Sequence, residues 1–410
     1  MDSCRSCSAA LGAPFLSLGA SPLSNAYLRA EQLSAMEPTY PLDVFVCEHC
    51  FLVQIDELAG AEAIFSDDYA YFSSFSESWL AHCRAYTERV VARYALGASS
   101  LVVEIGSNDG YLLQYFLQRG IPILGIEPAR SVASAAIARG IPTETVFFGA
   151  AQAEAMRARG QAVDLLIGNN VLAHNPNLND FVAGIARVLA PHGVVTLEFP
   201  HLLRMLEGNQ FDTIYHEHYS YLSLLAVQVL FRRHGLVVFD VEELATHGGS
   251  LRLHAQLAAT GLRVVEAQVD AVCELERRGG LLSAATYARF REQVVETKRA
   301  LLSLLIEAKR AGKRIVGYGA PAKGNTLLNY CGIRTDFLDY TVDRSPHKQG
   351  RFLPGTRIPI FAPERIDDDK PDLVLLLAWN LKDEIVAQLR GISAWGGRFV
   401  VPIPHPSVLP

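Results

Sequence analysis

Short apolar runs alternate with amphipathic stretches along most of this chain. Continuous apolar runs near 101–105, 122–127, 163–168 and 194–199 predict buried strands, and stretches between them such as SVASAAIARG and DFVAGIARVLA have helical spacing. Strands that alternate with helices form parallel sheets with helices on both faces. The pattern therefore predicts an α/β fold with a central doubly wound parallel sheet.

The pattern changes on both sides of this region. Residues 1–65 are rich in turns and short on regular periodicity, which predicts a small separate domain. Farther on, an amphipathic helix covers TYARFREQVVETKRALLSLLIEAKRAG and ends at Gly312, and a smaller alternation of strands and helices follows it. We expect three domains, at 1–65, 66–285 and 286–410, of which the last is a Rossmann-like α/β unit.

The composition is that of an ordinary globular protein. Of the 410 residues, 50% are hydrophobic and 20% are charged, which suffices for more than one core. A net charge of −6 without a basic stripe gives no reason to expect nucleic-acid binding. The N-terminus, MDSCRSC, lacks the regions of a secretory signal, and the apolar runs are too short to span a bilayer. We expect a cytoplasmic, monomeric enzyme that binds no membrane.

Four of the seven cysteines form two Cys-x-x-Cys pairs, Cys4 with Cys7 and Cys47 with Cys50. Two residues between thiolates allow one turn to present both sulfurs to a tetrahedral zinc ion, and four sulfurs complete its coordination. Disulfides are disfavoured in the cytoplasm, and a redox motif does not need two copies. The pairs therefore predict a closed structural zinc site without a catalytic role.

The segment LVVEIGSNDG reads as a strand, a glycine turn and the start of a helix. Gly106 and Gly110 allow a ligand to approach the backbone closely, with Asn108 between them and the acidic Glu104 before them. A dinucleotide turn would have the spacing Gly-x-Gly-x-x-Gly, which this turn lacks. Glu127 ends the next strand, where a carboxylate accepts hydrogen bonds from ribose hydroxyls. These residues predict a binding site for S-adenosylmethionine (SAM).

A second glycine turn opens the C-terminal unit. In GYGAPAKGN, Gly319 is followed by Lys323 and Asn325, and Asp343 closes the next strand. A lysine at the start of a helix favours a phosphate or diphosphate, so we expect these three turn residues to contact a nucleotide-sugar substrate. A nicotinamide dinucleotide and a Rossmann relic without a ligand remain the alternatives.

The segment Tyr215-His216-Glu217-His218-Tyr219 concentrates ionisable and hydrogen-bonding side chains that are costly to bury without a use. Histidines two positions apart do not share a helix face, which disfavours the zinc-protease arrangement. A solvated loop is the other alternative. Since the segment follows the strand GVVTLEFP, near the edge where substrates bind in such sheets, we expect general acid and base catalysis.

Further polar residues follow other strands. Asn169, Asn170 and His174 come after the strand VDLLIG and are expected to face the same crevice, where Asn169 would contact the cofactor. His247 lies beside two glycines in THGGSLR and is a candidate substrate contact.

Taken together, these motifs resemble the deoxysugar C-methyltransferases, which methylate a ring carbon of a nucleotide-linked keto-deoxyhexose. The resemblance runs the whole length and includes SPLSNAYL, EIGSNDGYLL, GIEPA, GNNVLAH, YHEHYSYLS, HGGSLR and GYGAPAKGNTLLN. It implies that the paired cysteines bind structural zinc and that His218, Glu217, Tyr215 and Tyr69 line the reaction centre. It also implies that Asn170 and His174 contact sugar or cofactor and that Lys323 contacts the diphosphate.

The implied reaction removes a proton beside a ketone, after which the carbanion attacks the methyl group of SAM. His218 is the expected base. Glu217 is expected to raise its basicity or fix its tautomer, and Tyr215 or Tyr69 to hydrogen-bond the enolate oxygen. The motifs are shared by enzymes that act on different ring carbons; we expect C3, with C5 as the alternative. A nicotinamide-dependent oxidoreductase and a non-catalytic zinc-binding adaptor are the competing functions.

Overall fold

The computed structural model describes residues 1–58, 60 and 72–409. The N-terminal strands are β1 (Leu16–Ser21), β2 (Tyr40–Val46) and β3 (Val53–Ile55). The central elements are α1 (Glu77–Tyr94), β4 (Val102–Ile105), α2 (Leu113–Leu117), β5 (Ile123–Ile126), α3 (Arg130–Ala138), β6 (Thr143–Glu144), α4 (Ala150–Ala158), β7 (Val163–Asn169), α5 (Leu178–Val188), β8 (Leu189–Pro200), α6 (Leu202–Glu207), β9 (Ser220–Tyr221), α7 (Leu224–Arg233), β10 (Leu236–Leu244), β11 (Ser250–Leu257) and α8 (Ala267–Arg278). The C-terminal elements are α9 (Ala284–Arg310), β12 (Ile315–Tyr318), α10 (Ala322–Cys331), β13 (Thr341–Val342), β14 (Ile360–Phe361), α11 (Arg365–Asp369), β15 (Leu373–Leu376), α12 (Lys382–Gln388), β16 (Arg398–Val401) and β17 (Ser407–Leu409).

The central sheet has the order β10-β11-β8-β7-β4-β5-β6. The strands from β8 to β6 are parallel, as the sequence predicts, whereas β11 runs antiparallel to β8 and to β10. The apolar runs in the sequence did not mark β10 and β11, which lie side by side at one end of this sheet. One reason is that β11 buries the polar residues Arg252, His254 and Gln256, so it lacks the continuous apolar run that marked its neighbours.

The N-terminal sheet has the order β1-β2-β3-β9 and is antiparallel. Its last strand comes from the central part of the chain, because Val53 pairs with Tyr221 and Gln54 with Ser220. The backbone N–H of Ile55 also donates to the Tyr219 carbonyl. The segment 215–219 therefore enters a strand of the N-terminal sheet directly.

The C-terminal sheet has the order β14-β13-β12-β15-β16-β17 and is parallel except for β17. Its apolar residues share one core with the N-terminal sheet, in which Leu16 and Val44 pack with Leu301 and Leu327. The two ends of the chain are thus held together by hydrophobic burial.

Of the two expected domain limits, one lies outside the described residues and the other lies inside a helix. The limit between 65 and 66 lies outside the described residues. The limit between 285 and 286 falls within the first turn of α9. No helix among the described residues is long and apolar enough to cross a membrane.

Candidate active site

One large cavity, of about 650 Å³, lies where residues of all three sheets and their loops meet. Its walls combine the turn after β4, the end of β7, the segment before β9 and the start of α10. The residues that the sequence singled out and that line this cavity are Gly106, Asn108, Glu127, Asn169, Asn170, His174, Tyr215, Glu217, His218 and Lys323. The carboxyl ends of parallel strands are the usual binding edge of such sheets.

The turn after β4 forms one end of the cavity. Gly106 has a φ of +66°, and a Cβ there would lie 2.4 Å from Cγ1 of Val171, so only glycine allows this close approach. The Glu127 carboxylate accepts hydrogen bonds from the backbone N–H groups of Asn108 and Ala129, each at 2.9 Å. Burial raises the pKa of Glu127, while the hydrogen bonds from the two backbone N–H groups lower it. The turn thus presents an oriented carboxylate to the cavity, as ribose recognition requires.

Two residues of the same motif lie behind this wall. Glu104 is fully buried, and the Tyr111 hydroxyl lies against its carboxyl group; burial raises the pKa of Glu104 well above its usual value. Gly110 has a φ of +79°, and a Cβ there would meet Cδ1 of Ile141 at 2.2 Å. Neither residue lines the described cavity. Both residues pack behind the turn. Tyr111, which contacts Glu104, lines the cavity instead.

Tyr215 and His218 form a hydrogen-bonded pair in the cavity wall. Nδ1 of His218 lies 2.9 Å from the Thr213 carbonyl oxygen, and Nε2 lies 2.8 Å from the Tyr215 hydroxyl. A carbonyl oxygen only accepts, so Nδ1 carries a proton. In the neutral form of the ring, Nε2 is the basic nitrogen and accepts from the Tyr215 hydroxyl.

Glu217 lines the same cavity as this pair, but its carboxylate is bonded to Asn25. Both carboxylate oxygens of Glu217 accept hydrogen bonds from Nδ2 of Asn25, at 2.9 and 2.8 Å. Burial raises the pKa of Glu217 to about 7, and the Asn25 bonds lower it. The expectation that Glu217 fixes the tautomer of His218 is wrong, because the Thr213 carbonyl does so.

His174 packs against the same pair. Its ring meets that of His218 edge to face, with centroids 4.6 Å apart, and hydrogen-bonds the Glu217 backbone. Burial lowers the pKa of His174 to about 4, so this ring is neutral at physiological pH. The neighbouring His216 faces away, towards the Pro41 carbonyl oxygen at 3.1 Å.

The start of α10 forms another part of the cavity wall. Nζ of Lys323 donates to Oδ1 of Asn380 at 3.0 Å and lies 4.6 Å from the centre of the Trp379 ring. Burial lowers the pKa of Lys323, and the charge of Asp212 raises it. A cation here faces the cavity without a carboxylate of the described residues within 4.0 Å, which suits an anionic ligand.

Four other predicted residues remain. Two of them do not line the described cavity, and the side chains of the other two lie outside what the structure describes. Asn325 is buried and donates through Nδ2 to the Ser24 carbonyl at 2.6 Å, which ties α10 to the N-terminal segment. Gly319 has a φ of +93° and packs against Ala378. Tyr69 lies outside the described residues, and so does the side chain of His247, whose backbone lies in the turn Thr246–Gly248.

Sequence reasoning missed cavity residues that come from distant segments. Asn25, Trp79, Tyr221 and Lys348 all line the cavity. Trp79 stacks on the His82 ring, with centroids 5.0 Å apart. Trp79 and Lys348 lie in no recognisable motif. Asn25 and Tyr221 lie in the runs SPLSNAYL and YSYLS, which were the signals that could have marked them.

The four paired cysteines converge, and none of them lines the described cavity. Their sulfur atoms lie within 4.8 Å of one another, with Cys4 and Cys50 at 3.5 Å and Cys7 and Cys47 also at 3.5 Å. Tetrahedral zinc with Zn–S bonds of about 2.3 Å places its sulfurs about 3.8 Å apart, so the group fits zinc. Nε2 of Gln54 donates to the Cys4 sulfur at 3.3 Å, as suits a thiolate. The site is a closed structural zinc centre.

Comparison with known proteins assigns each part of the chain. Family models match a putative zinc binding domain at residues 4–65, a methyltransferase domain at 79–241 and a C-methyltransferase C-terminal domain at 245–404. The C-methyltransferase NovU of Streptomyces niveus is 37% identical over 409 residues, which cover 100% of this chain and 97% of NovU.

Two solved methyltransferase structures align with less than half of this chain. Magnesium protoporphyrin IX methyltransferase (ChlM) from Synechocystis PCC 6803 with bound SAM is 16% identical, with a TM-score of 0.33, over 47% of this chain and 88% of that chain. A possible histamine N-methyltransferase from Thermotoga maritima is 16% identical, with a TM-score of 0.34, over 44% and 93%. By its whole-length similarity to NovU and its three matching domains, this chain belongs to the SAM-dependent C-methyltransferases that carry an N-terminal zinc-binding domain.

Proposed function

We propose that this enzyme methylates C3 of a nucleotide-linked 4-keto-deoxyhexose, in deoxysugar biosynthesis. One observation carries the proposal: a single cavity is lined by the Glu127 turn, the Tyr215–His218 pair and Lys323. A SAM end, a proton-transfer pair and an anion-binding end in one space suit a substrate that has both an acidic C–H bond and a diphosphate.

His218 is the base in this proposal. Its Nε2 takes the proton from the carbon beside the ketone, the electron pair of that C–H bond forms the enolate, and the charge develops on the ketone oxygen. Tyr215 is placed to donate its hydroxyl hydrogen to that oxygen as the proton reaches Nε2. Gly106, Asn108 and Glu127 would hold SAM, which would supply the electrophilic methyl group: the enolate carbon forms the new C–C bond as the methyl–sulfur bond breaks and S-adenosylhomocysteine leaves.

The alternative of a nicotinamide cofactor at the second glycine turn has less support. A ribose-binding acid there would be Asp343, which accepts hydrogen bonds from the N–H groups of Ala320 (2.7 Å) and Ser345 (2.8 Å) and does not line the described cavity. Glu127 also accepts two backbone bonds, but it faces the cavity. The geometry therefore favours the SAM end as the site of an adenosine ribose.

The proposal is tested with purified enzyme, SAM and dTDP-4-keto-2,6-dideoxyglucose. We expect methylated product, and in D2O without SAM we expect deuterium exchange at the carbon that becomes methylated. His218→Asn should lose both exchange and methyl transfer, because it removes the base. Full activity in that variant would exclude His218 as the base.

The ring position is read from the same product. Both C3 and C5 lie beside the C4 ketone, so both hydrogens are acidic, and the orientation of the sugar decides between them. We expect an NMR spectrum in which H3 is replaced and H5 is kept. A product that keeps H3 and lacks H5 would establish C5-methylation and leave the enolate chemistry in place.

A further inference from the structure

An aromatic residue of α1 lines the cavity beside Tyr111. Trp79 lies in the first turn of α1 and borders the same cavity as Asn108 and Tyr111. Its ring centroid lies 6.1 Å from that of Tyr111, at an interplanar angle of 32°. All three tryptophans of the chain lie among the described residues, and Trp79 is the one that lines the described cavity.

The indole of Trp79 is backed by a second ring. His82 follows it by one helical turn, and the two rings stack with centroids 5.0 Å apart and an interplanar angle of 17°. Nε2 of His82 lies 3.0 Å from Oε2 of Glu198, so the carboxylate holds the imidazole in place. The stack therefore restricts the movement of the indole on the side of His82.

The Glu198 carboxylate belongs to a buried polar network. It accepts hydrogen bonds from the Thr246 hydroxyl at 2.9 Å and from the Arg252 guanidinium. Arg252 is 1% exposed, and its guanidinium lies 4.4 Å from the ring centre of Tyr86, which also belongs to α1. A buried ion pair is often no more stable than apolar packing in its place. Here the network fixes where α1, and with it Trp79, lies on the sheet.

The cofactor differs from its product by one charge. SAM carries a sulfonium ion, and S-adenosylhomocysteine has a neutral thioether in its place. The face of an aromatic ring attracts a cation that lies within about 6 Å of the ring centre, and tryptophan does so most strongly. An aromatic wall in a SAM site therefore attracts the cofactor in a way that it does not attract the product.

We propose that the ring face of Trp79 binds the sulfonium of SAM and gives SAM an attraction that S-adenosylhomocysteine lacks. His82 is a positioning residue in this proposal, because it keeps the indole in the cavity wall. The inference requires SAM as the cofactor and depends on no particular sugar or ring carbon.

The test is calorimetry on the full-length, zinc-containing protein, with SAM and S-adenosylhomocysteine as separate ligands. We expect Trp79→Leu, which keeps an apolar side chain, to weaken SAM binding about 5-fold or more and to change S-adenosylhomocysteine binding much less. Trp79→Phe should lie between the wild type and Trp79→Leu. His82→Ala should also lower the ratio of the two affinities, because the indole loses the ring that backs it.

Labelling with 5-fluorotryptophan tests the ring face without a change of residue. Fluorine nearly preserves the shape of the indole and withdraws electron density from its face. All three tryptophans become labelled, but the other two, Trp379 and Trp395, do not line the described cavity. We expect the labelled protein to bind SAM about 2-fold more weakly and S-adenosylhomocysteine as before.

Trp395→Leu is the matched control. The Trp395 indole donates through Nε1 to the Pro371 carbonyl at 3.0 Å and does not line the described cavity. This variant should bind both ligands as the wild type does.

The two ligands separate recognition of charge from a structural effect. Equal weakening of both ligands in Trp79→Leu would show an apolar or structural contact and overturn the proposal, and unchanged binding of both would overturn it as well. Weaker SAM binding with S-adenosylhomocysteine binding preserved, in Trp79→Leu and in the fluorinated protein, would support it.

Discussion

At the residue scale, the proposed base His218 is held by a hydrogen bond on each of its ring nitrogens. His218 uses Nδ1 to donate to the Thr213 carbonyl and Nε2 to accept from Tyr215. The residue types in YHEHY indicate acid–base catalysis, which stays a prediction. The tautomer was not predictable, because a backbone carbonyl five positions upstream sets it and every residue has such a carbonyl.

Replacing Tyr215 with phenylalanine tests the donor half of this pair. We expect deuterium exchange into the keto-sugar to fall about 100-fold, since the variant removes one positioned proton donor. SAM affinity should not change. Tyr287→Phe removes a hydroxyl that donates to the Leu281 carbonyl at 2.8 Å, and exchange in this control should be normal. Normal exchange in Tyr215→Phe would remove Tyr215 from the mechanism.

The Asn25–Glu217 contact makes a prediction about pH. Folding raises the pKa of Glu217 to about 7, so its ionisation costs stability as the pH rises from about 4.5 through 7, and Asn25 limits that cost. Asn25→Ala should therefore destabilise the protein more at pH 8.5 than at pH 5.5. Bonds to a charged group exceed neutral ones by about 1 kcal/mol, so the difference should be of this size.

Melting temperatures at the two pH values measure this difference. Asn209→Ala serves as the control, because the Asn209 amide donates to the hydroxyl of Thr297 and the carbonyl of Pro404, which do not titrate. Its effect should not depend on pH. Equal destabilisation by Asn25→Ala at both pH values would show that Glu217 does not titrate in this range.

At the element scale, the turn between β4 and α2 has to stay tight for the cofactor. Gly106→Ala places a Cβ 2.4 Å from Val171 at a φ of +66°, so Val171 must shift into the cavity. We expect SAM affinity, measured by calorimetry, to fall at least 10-fold. Gly120→Ala has a similar φ of +69° but open space around its Cβ. That control should lose about 1 kcal/mol of stability and no SAM affinity. Equal SAM affinity in both variants would contradict the close-approach argument.

The elements differ in how far the sequence foretells them. The strands β4, β5 and β7 are apolar runs between helices, and their positions followed from periodicity. The strand β9 has two residues and exists because β3 pairs with it, so its signal lies more than 160 positions away. Lys348 and Asn25 were missed for the same reason: their partners, Ala320 and Glu217, are distant in sequence.

At the scale of the whole molecule, the active site belongs to no single part of the chain. The N-terminal segment supplies Asn25, the position after β5 supplies Glu127, and the segment before β9 supplies His218. The C-terminal unit supplies Lys323 from α10 and Lys348 from the loop after β13. The shared core of the first and last sheets keeps these walls together. The sequence predicted three parts of the chain, but it did not predict that residues from all three would line one cavity.

This arrangement links the zinc turns to the segment that carries His218. The backbone of the first zinc turn, at Arg5 and Ser6, accepts hydrogen bonds from Asn179 at 2.8 and 3.0 Å. The strand β3 after the second pair joins β9, three residues from His218. We expect Cys47→Ser to lose zinc, lower the melting temperature and abolish deuterium exchange.

The same variant should keep measurable SAM affinity, because the turn at Gly106 and the carboxylate of Glu127 are held by the central sheet rather than by the zinc turns. Elemental analysis, melting curves and SAM calorimetry together check this order of loss. Cys273→Ser is the control, since Cys273 is a buried cysteine outside the zinc group that contacts Gln228. It should keep zinc and activity. A Cys47→Ser enzyme without zinc but with normal exchange would show that the N-terminal sheet holds the His218 segment without its metal.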